Sequence, residues 1–398
     1  MFDAFRPFEL KTNEVDLRIT AFAPRIAKIQ VGVRPQGHCT SYLIDVHSVP
    51  RAAPSAASSL AGGGNSIIAV DEAGNIVLRN AEGRVLLRFV SSSVATSPDT
   101  RLRMEMIGEQ HLYGLGEGGQ QFDRLGTSRR FWNFQANRGQ GADLAVPFLL
   151  SQAGYGVFFD NSAVSRIEHG DANEGGTVLD YSGAGGPYDI YVFVGDMRTI
   201  LGDLAGVLGP ATMPPLWSLG YLQSTRFFDT PEDILALGRE FRDKNILCDA
   251  IIFLSTYGSG LGWNAAVGSL DFEPTLFADP GYVIGGLHEL GFRVFSHEYP
   301  VVHPGAPLHE EARQRGFLLD HRYPDTRAPD RDGVSFKEGQ SFIDFSQPEA
   351  REWWWNAHHH LVERGIDGWW LDGGEGPPEH VTLAAGSSKL VHNRFDIW

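Results

Sequence analysis

The sequence predicts two unlike domains in series, an all-β domain followed by an α/β domain built on a parallel sheet. Three observations carry this. Short alternating runs, with turn residues about every eight to twelve positions, fill the first half of the chain. After Pro214-Pro215 the pattern changes to apolar runs that alternate with capped helical stretches, as parallel sheets require. Near the C-terminus a Gly-bounded apolar run, residues 366–371, ends on Asp372 before Gly373, Gly374 and Pro377-Pro378.

In the first half, residues 17–22 and 26–33 alternate as half-buried strands do, and residues 66–70, 75–78, 85–90, 148–150, 157–159 and 190–193 continue the series. Residues 51–66 are rich in Ala, Ser and Gly and read as a surface loop. There is no internal repeat and no block of like charge. A two-sheet sandwich to about Pro210 is the economical arrangement.

In the second half, residues 219–223 read as the first strand of the parallel sheet. Thr230-Pro231-Glu232-Asp233 supplies an N-cap, a proline at the first helical position and acids in the first turn, so a helix is expected to about Lys244. Residues 248–254 form a second strand. A long loop, residues 255–280, carries Trp263, and Asp279-Pro280 opens a helix that stops near Gly291. Residues 293–296 form a third strand, followed by His297-Glu298-Tyr299-Pro300. Residues 324–340 are polar and read as a surface excursion, and a helix over 347–364 leads into the fourth strand at 366–371. Parallel strands all end on one face, so the residues after Leu254, Ser296 and Leu371 should converge there.

The formal net charge of −16, with no compensating basic run, argues against a nucleic-acid or anionic-membrane partner and leaves neutral molecules open. The two cysteines, Cys39 and Cys248, are far apart and flanked by apolar residues, so free buried thiols are expected. The acidic, broken N-terminus does not read as a signal peptide, and no apolar run reaches membrane-spanning length. A cytoplasmic location is the expectation.

Asp372 by itself has an ordinary reading, as the start of a loop or a helix cap, beside a functional one, as a carboxylate at the mouth of a barrel. Its surroundings decide. Trp370-Leu371-Asp372-Gly373-Gly374-Glu375 resembles the nucleophile motif of glycoside hydrolase family 31, a strand ending in Trp-x-Asp followed by two small or apolar residues and Glu. Further likenesses follow the family's order: Tyr113-Gly114-Leu115-Gly116-Glu117, Gly154-Tyr155-Gly156-Val157-Phe158-Phe159-Asp160-Asn161, Tyr188-Asp189-Ile190-Tyr191-Val192-Phe193-Val194-Gly195-Asp196, Pro214-Pro215-Leu216-Trp217-Ser218-Leu219-Gly220-Tyr221, and the run from Phe342 to Trp354.

The resemblance implies a galactose mutarotase-like sandwich over residues 1–212 and a (β/α)8 barrel of which residues 213–398 hold the first half. A full barrel takes about 250 residues, and only four strands fit here. It further implies hydrolysis of a terminal α-linked sugar with retention, through a covalent ester on Asp372, with water as second substrate and no metal or cofactor. Trp370 and Phe227 match pocket positions, and Glu375 is expected to position the loop. Leu254 and Thr256 stand where the family usually has acids that hold sugar hydroxyls. Glu298, with His297 beside it, is the expected substitute; the alternative is a Glu paired with an Arg or His at the rim.

The family's general acid/base lies on a later strand, and no residue after Asp372 matches it. A fragment, a subunit that meets the missing half of the barrel or another copy of itself, and a non-catalytic carbohydrate-binding relic are the remaining readings. Other constellations are weaker. In His358-His359-His360, adjacent side chains diverge by about 100° on a helix and do not converge on one ion. His297-Glu298 with His303 lacks the His-Glu-x-x-His spacing, and the Gly114–Gly119 glycines lack a following Lys-Ser/Thr. That glycine segment reads instead as a tight loop directed at the sugar pocket. Among the aromatics, Trp132, Phe228, Tyr257, Trp263 and Tyr299 read mostly as core.

Overall fold

The computed structural model describes residues 8–12, 15–32, 67–108, 111–117, 121–132, 144–169, 177–209, 211–225, 230–254, 262–265, 268–322, 341–372 and 381–387. One compact unit ends at Ala211 and a second begins at Thr212.

The first unit is a sandwich of two seven-stranded antiparallel sheets. One runs Phe8–Lys11, Asp16–Ala23, Ile26–Val31, Tyr188–Val194, Tyr155–Asp160, Phe148–Ser151, Leu112–Gly114. The other runs Ile68–Val70, Ile76–Arg79, Val85–Ala95, Asp99–Met106, Thr177–Ala184, Ser165–His169, Arg129–Phe131. Strand side chains alternate faces, so in Asp99–Met106 the buried residues are Thr100, Leu102, Met104 and Met106. Leu102, Met104, Phe89 and Leu179 meet Leu17, Ile29, Val157 and Phe159 of the facing sheet in one core.

Two strands, Tyr155–Asp160 and Tyr188–Val194, are buried at every position. The helix Met197–Leu208 explains this, because Ile200 and Val207 cover Phe148, Phe158, Tyr191 and Phe193 on the outer face. Asp196 caps that helix, accepting from the Thr199 N–H at 2.8 Å. The sequence reading of a plain sandwich to Pro210 passed over the helix.

In the second unit four parallel strands lie in chain order, Leu222–Thr225, Ala250–Phe253, Arg293–Glu298 and Gly368–Leu371. Helices Pro231–Asp243, Pro280–Glu289 and Pro348–Glu363 follow or precede them as barrel helices do. Ile234 and Leu235 from the first helix, Val283, Ile284 and Leu287 from the second and Leu361 from the third pack on Ile251, Phe253 and Val294. This is the first half of a (β/α)8 barrel. The first helix carries the full capping box: Thr230 accepts from the Asp233 N–H, and the Asp233 carboxylate accepts from the Thr230 N–H.

Three details depart from the sequence reading. Leu219, expected to begin the first strand, instead ends a 3-10 turn, Leu216–Leu219, closed by the Gly220 N–H on the Trp217 carbonyl, and the strand starts three residues later than expected. The third strand does not stop at Ser296: pairing of His297 with Trp370 and Glu298 with Leu371 draws both residues into the ladder. Between the third and fourth strands lie a helix, Pro307–Gln314, and an antiparallel trio, Val301–Val302, Ser341–Ile343 and Leu318–Arg322, none of which the periodicity revealed. Proline at the helix's first position and Glu310 in its first turn were the available signal. The excursion expected at 324–340 lies outside the described residues.

Candidate active site

The fourth strand sorts its side chains by alternation. Gly368 and Trp370 share one face, Trp369 and Leu371 the other. Gly368 is small of necessity, since a Cβ there would sit 2.6 Å from the Phe295 ring on the neighbouring strand. Trp369 turns to the helix layer and stands edge-on to His358 and Trp355 of Pro348–Glu363, at 5.3 and 5.8 Å. Trp370 turns the other way and meets His297 edge-on at 5.7 Å, with 44% of its surface exposed.

Asp372 directly follows the strand. Its main-chain N–H donates to the Glu298 carbonyl at 2.9 Å, and its Oδ2 lies 3.0 Å from His297 Nε2. His297 is only 1% exposed. It packs perpendicular to Tyr299 at 4.9 Å, and its carbonyl accepts the indole N–H of Trp263 at 2.8 Å. Trp263 is thus core, as expected, and holds the strand that holds Asp372. The main-chain N–H of Trp263 donates to the carbonyl of Leu254, the buried residue that follows the second strand.

Glu298 does not join this group. Val294, two turns of the pleat earlier on its face, packs among helix residues, and Glu298 follows it outward. It is 2% exposed, with Oε1 2.8 Å from His358 Nε2. The expectation that Glu298 meets the sugar is therefore corrected. A carboxylate buried in the strand–helix layer does not reach a ligand on the sheet's inner side. The alternative, a Glu paired with a His, is what the geometry has, inside the layer and not at a rim. His358 Nδ1 lies 2.6 Å from the Trp354 carbonyl, so both ring nitrogens face acceptor oxygens, an arrangement that favours the protonated ring. Burial alone would lower the His358 pKa; the hydrogen bond and charge of Glu298 outweigh it and raise the value above the ordinary one.

The opposite end of the strand has a different carboxylate. Asp367 accepts from His288 Nε2 at 2.9 Å, Arg293 at 2.8 Å and the Val294 N–H at 2.9 Å. Partial burial works against its charge, but these three donors hold its pKa below the usual carboxylate value.

Of the residues singled out in the sequence, Asp372, His297 and Trp370 come together, Glu298 points away, and Glu375 and Phe227 lie outside the described residues, as do Thr256, Tyr257, Phe228 and Cys39. Cys248 is a buried free thiol. Among the described residues no three His, Cys, Asp or Glu side chains converge as metal ligands, and no helix is long and apolar enough to cross a membrane. The segment Gly114-Leu115-Gly116 runs through three positive φ angles and is clamped by Arg124, which donates to the Gly114 and Gly116 carbonyls at 3.1 Å each. The sequence reading missed the Trp263, His358 and Asp367 contacts; each joins residues tens of positions apart and has no local signature.

Comparison with known proteins agrees with this architecture. Residues 211–396 match the glycosyl hydrolases family 31 TIM-barrel domain, and residues 17–168 match the glycosyl hydrolase 31 N-terminal galactose mutarotase-like domain. The chain is 28% identical over 305 residues to alpha-xylosidase XylQ of Lactiplantibacillus pentosus, covering 75% of this chain and 38% of that protein. It is 26% identical over 294 residues to alpha-glucosidase 2 of Bacillus thermoamyloliquefaciens, covering 71% and 36%. It thus spans little more than a third of the length of these curated relatives. Among solved structures, a Flavobacterium johnsoniae GH31 dextranase complexed with glucose superposes with a TM-score of 0.79 at 18% identity, over 99% of this chain and 51% of that one. A soil-metagenome GH31 alpha-xylosidase complexed with xylose gives 0.79 at 19%, over 98% and 61%. These two likenesses concern the fold. With both family domains matched in order across the sandwich and the parallel sheet, the chain belongs to glycoside hydrolase family 31.

Proposed function

We propose that this chain is the nucleophile-bearing part of a retaining α-glycoside hydrolase that acts on terminal α-linked sugars, with Asp372 as the nucleophile. The observation that carries the reading is the placement of Asp372. It stands at the C-terminal end of a parallel strand, where barrel enzymes hold their catalytic groups, on the face shared with His297 and the half-exposed Trp370. One Asp372 oxygen attacks the anomeric carbon as the glycosidic oxygen leaves. Water then displaces the carboxylate from the glycosyl ester, and two inversions give net retention. Trp370 offers an apolar face to a sugar ring.

The names of the relatives favour gluco- or xylo-configured pyranosides. Protonation of a poor leaving group needs a second carboxyl about 5 Å from the first. In this reading that acid comes from further barrel strands. Among the described residues the sheet ends on two edge strands, Leu222–Thr225 and Gly368–Leu371, each paired on one side, with exposed Tyr221 and Leu371 at their ends, which supports this.

A leaving group that needs no proton tests the chain alone. Incubation with 5-fluoro α-glucosyl, α-xylosyl and α-galactosyl fluorides, followed by intact-protein mass spectrometry, should give one stoichiometric adduct with the gluco or xylo reagent. A folded protein that stays unlabelled by all three contradicts the reading.

A further inference from the structure

We propose that His297 is the positioning residue of Asp372: through its Nε2–H it fixes one carboxylate oxygen and so presents the other to the anomeric carbon. The proposal rests on the reading of Asp372 as nucleophile and gives that site a further working part.

An aspartate just past a strand end has two free side-chain torsions, and rotation about them carries each oxygen through several ångströms. Attack needs an approach of about 3–3.5 Å with orbitals aligned, and a misplacement of about 1 Å can cost about 100-fold. Something must hold the carboxylate. The ionised group only accepts hydrogen bonds, so the 3.0 Å contact between Oδ2 and His297 Nε2 places a proton on Nε2. His297 is itself immobile. It is 1% exposed, its ring stands perpendicular to Tyr299 and near-perpendicular to Trp370, and its carbonyl is tied to the Trp263 indole. The main chain of Asp372 is referenced to the same strand by its bond to the Glu298 carbonyl. Backbone and carboxylate of Asp372 are therefore located by two consecutive residues, His297 and Glu298, and both torsions are settled.

The chemistry balances without moving the His297 proton. With a glycosyl fluoride, an electron pair on Oδ1 forms the bond to the anomeric carbon while fluoride departs with the C–F pair, and Oδ2 becomes the ester carbonyl, still hydrogen-bonded to Nε2–H. In the second step a water oxygen bonds to the anomeric carbon, the C–Oδ1 pair returns to the carboxylate, and the proton of water passes to solvent base. His297 gives up nothing in either step.

The test uses the labelling reaction with the reactive fluoro sugar. His297→Ala should lower the first-order labelling rate constant by about 10- to 100-fold, with the half-saturating reagent concentration little changed. His297→Gln, whose amide N–H can occupy the Nε2 position, should recover most of the loss. Labelling of His297→Ala at the parent rate overturns the proposal while leaving the nucleophile reading intact. Equal losses in Ala and Gln variants with lowered melting temperatures overturn it as well, because they indicate packing alone. An unlabelled parent removes the nucleophile reading and this role with it. Should His297→Ala not fold, histidine 15N–1H spectra of the parent and Asp372→Asn decide: a protonated Nε2 that shifts on the substitution is the expected result, and a bare Nε2 overturns the proposal.

Discussion

Asp367 and Asp372 bracket one four-residue strand, Gly368–Leu371, and their surroundings differ in kind. Asp367, at the N-terminal end, meets three donors from two elements and is held ionised. Asp372, at the C-terminal end, has His297 on one oxygen, and its side chain is 26% exposed beside Trp370. A carboxylate surrounded by donors ties elements together. A partly exposed one at the C-terminal end of a parallel strand stands where barrels place ligand-facing groups. The contrast follows the division of labour of parallel barrels, with stability at the N-terminal face and catalysis at the C-terminal face.

The largest expected effect separates the two ends most sharply. Asp372→Asn should reduce covalent labelling by about 10⁴-fold or more, with the melting temperature within a degree or two of the parent. The next lies between the ends, in the strand–helix layer. His358→Leu leaves the buried Glu298 carboxylate without its cation, which should cost about 3 kcal/mol in chemical denaturation. A smaller loss follows at the N-terminal end, where Asp367→Ala strands the Val294 N–H, the Arg293 guanidinium and His288 Nε2, about 1–2 kcal/mol. In that variant labelling per folded molecule should be unchanged. Reduced labelling there, in fully folded protein, would break the comparison.

The two structural groups also have opposite pH signatures. The His358 pKa is raised, so its contribution is fully present below the ordinary histidine value of about 6.5 and is lost as pH rises through the raised value. The Asp367 pKa is lowered, so its contribution is present above the ordinary value of about 3.9 and is lost as pH falls through the lowered one. Denaturation midpoints measured across pH should lose the alkaline decline in His358→Gln and part of the acid decline in Asp367→Asn. The smallest effect tests whether every C-terminal-face residue is functional. Thr230→Ala removes one half of a capping box and should cost about 1 kcal/mol without altering labelling.

Much of the fold was legible because its signals are local. Alternation over residues 17–22, Thr230-Pro231 at a helix start and the Gly-bounded run into Asp372 each state their structure within a few residues. The same holds for Asp372 itself, whose position at a strand end follows from the glycines behind it. What stayed hidden was decided by pairing across the chain. His297 and Glu298 are adjacent letters, and only the register with Trp370 and Leu371 makes them strand residues that face opposite sides. Once they do, one reaches Asp372 and the other a helix. The burial of Tyr188–Val194 on both faces likewise needed the helix Met197–Leu208, and the helix Pro307–Gln314 is too short and polar for its periodicity to stand out.

The central claim is that the carboxylate at the C-terminal end of this strand, and not its neighbour five residues earlier, is the nucleophile. Both lie between Arg364 and Lys389, so they fall in one tryptic peptide. Tandem mass spectrometry of that peptide from fluoro-sugar-labelled protein tests the claim directly. Cleavages between Trp369 and Trp370 and between Asp372 and Gly373 distinguish Asp367, Asp372 and Glu375. The account predicts the sugar on Asp372 alone. A label on Asp367 or Glu375, or labelling that persists in Asp372→Asn, would contradict it.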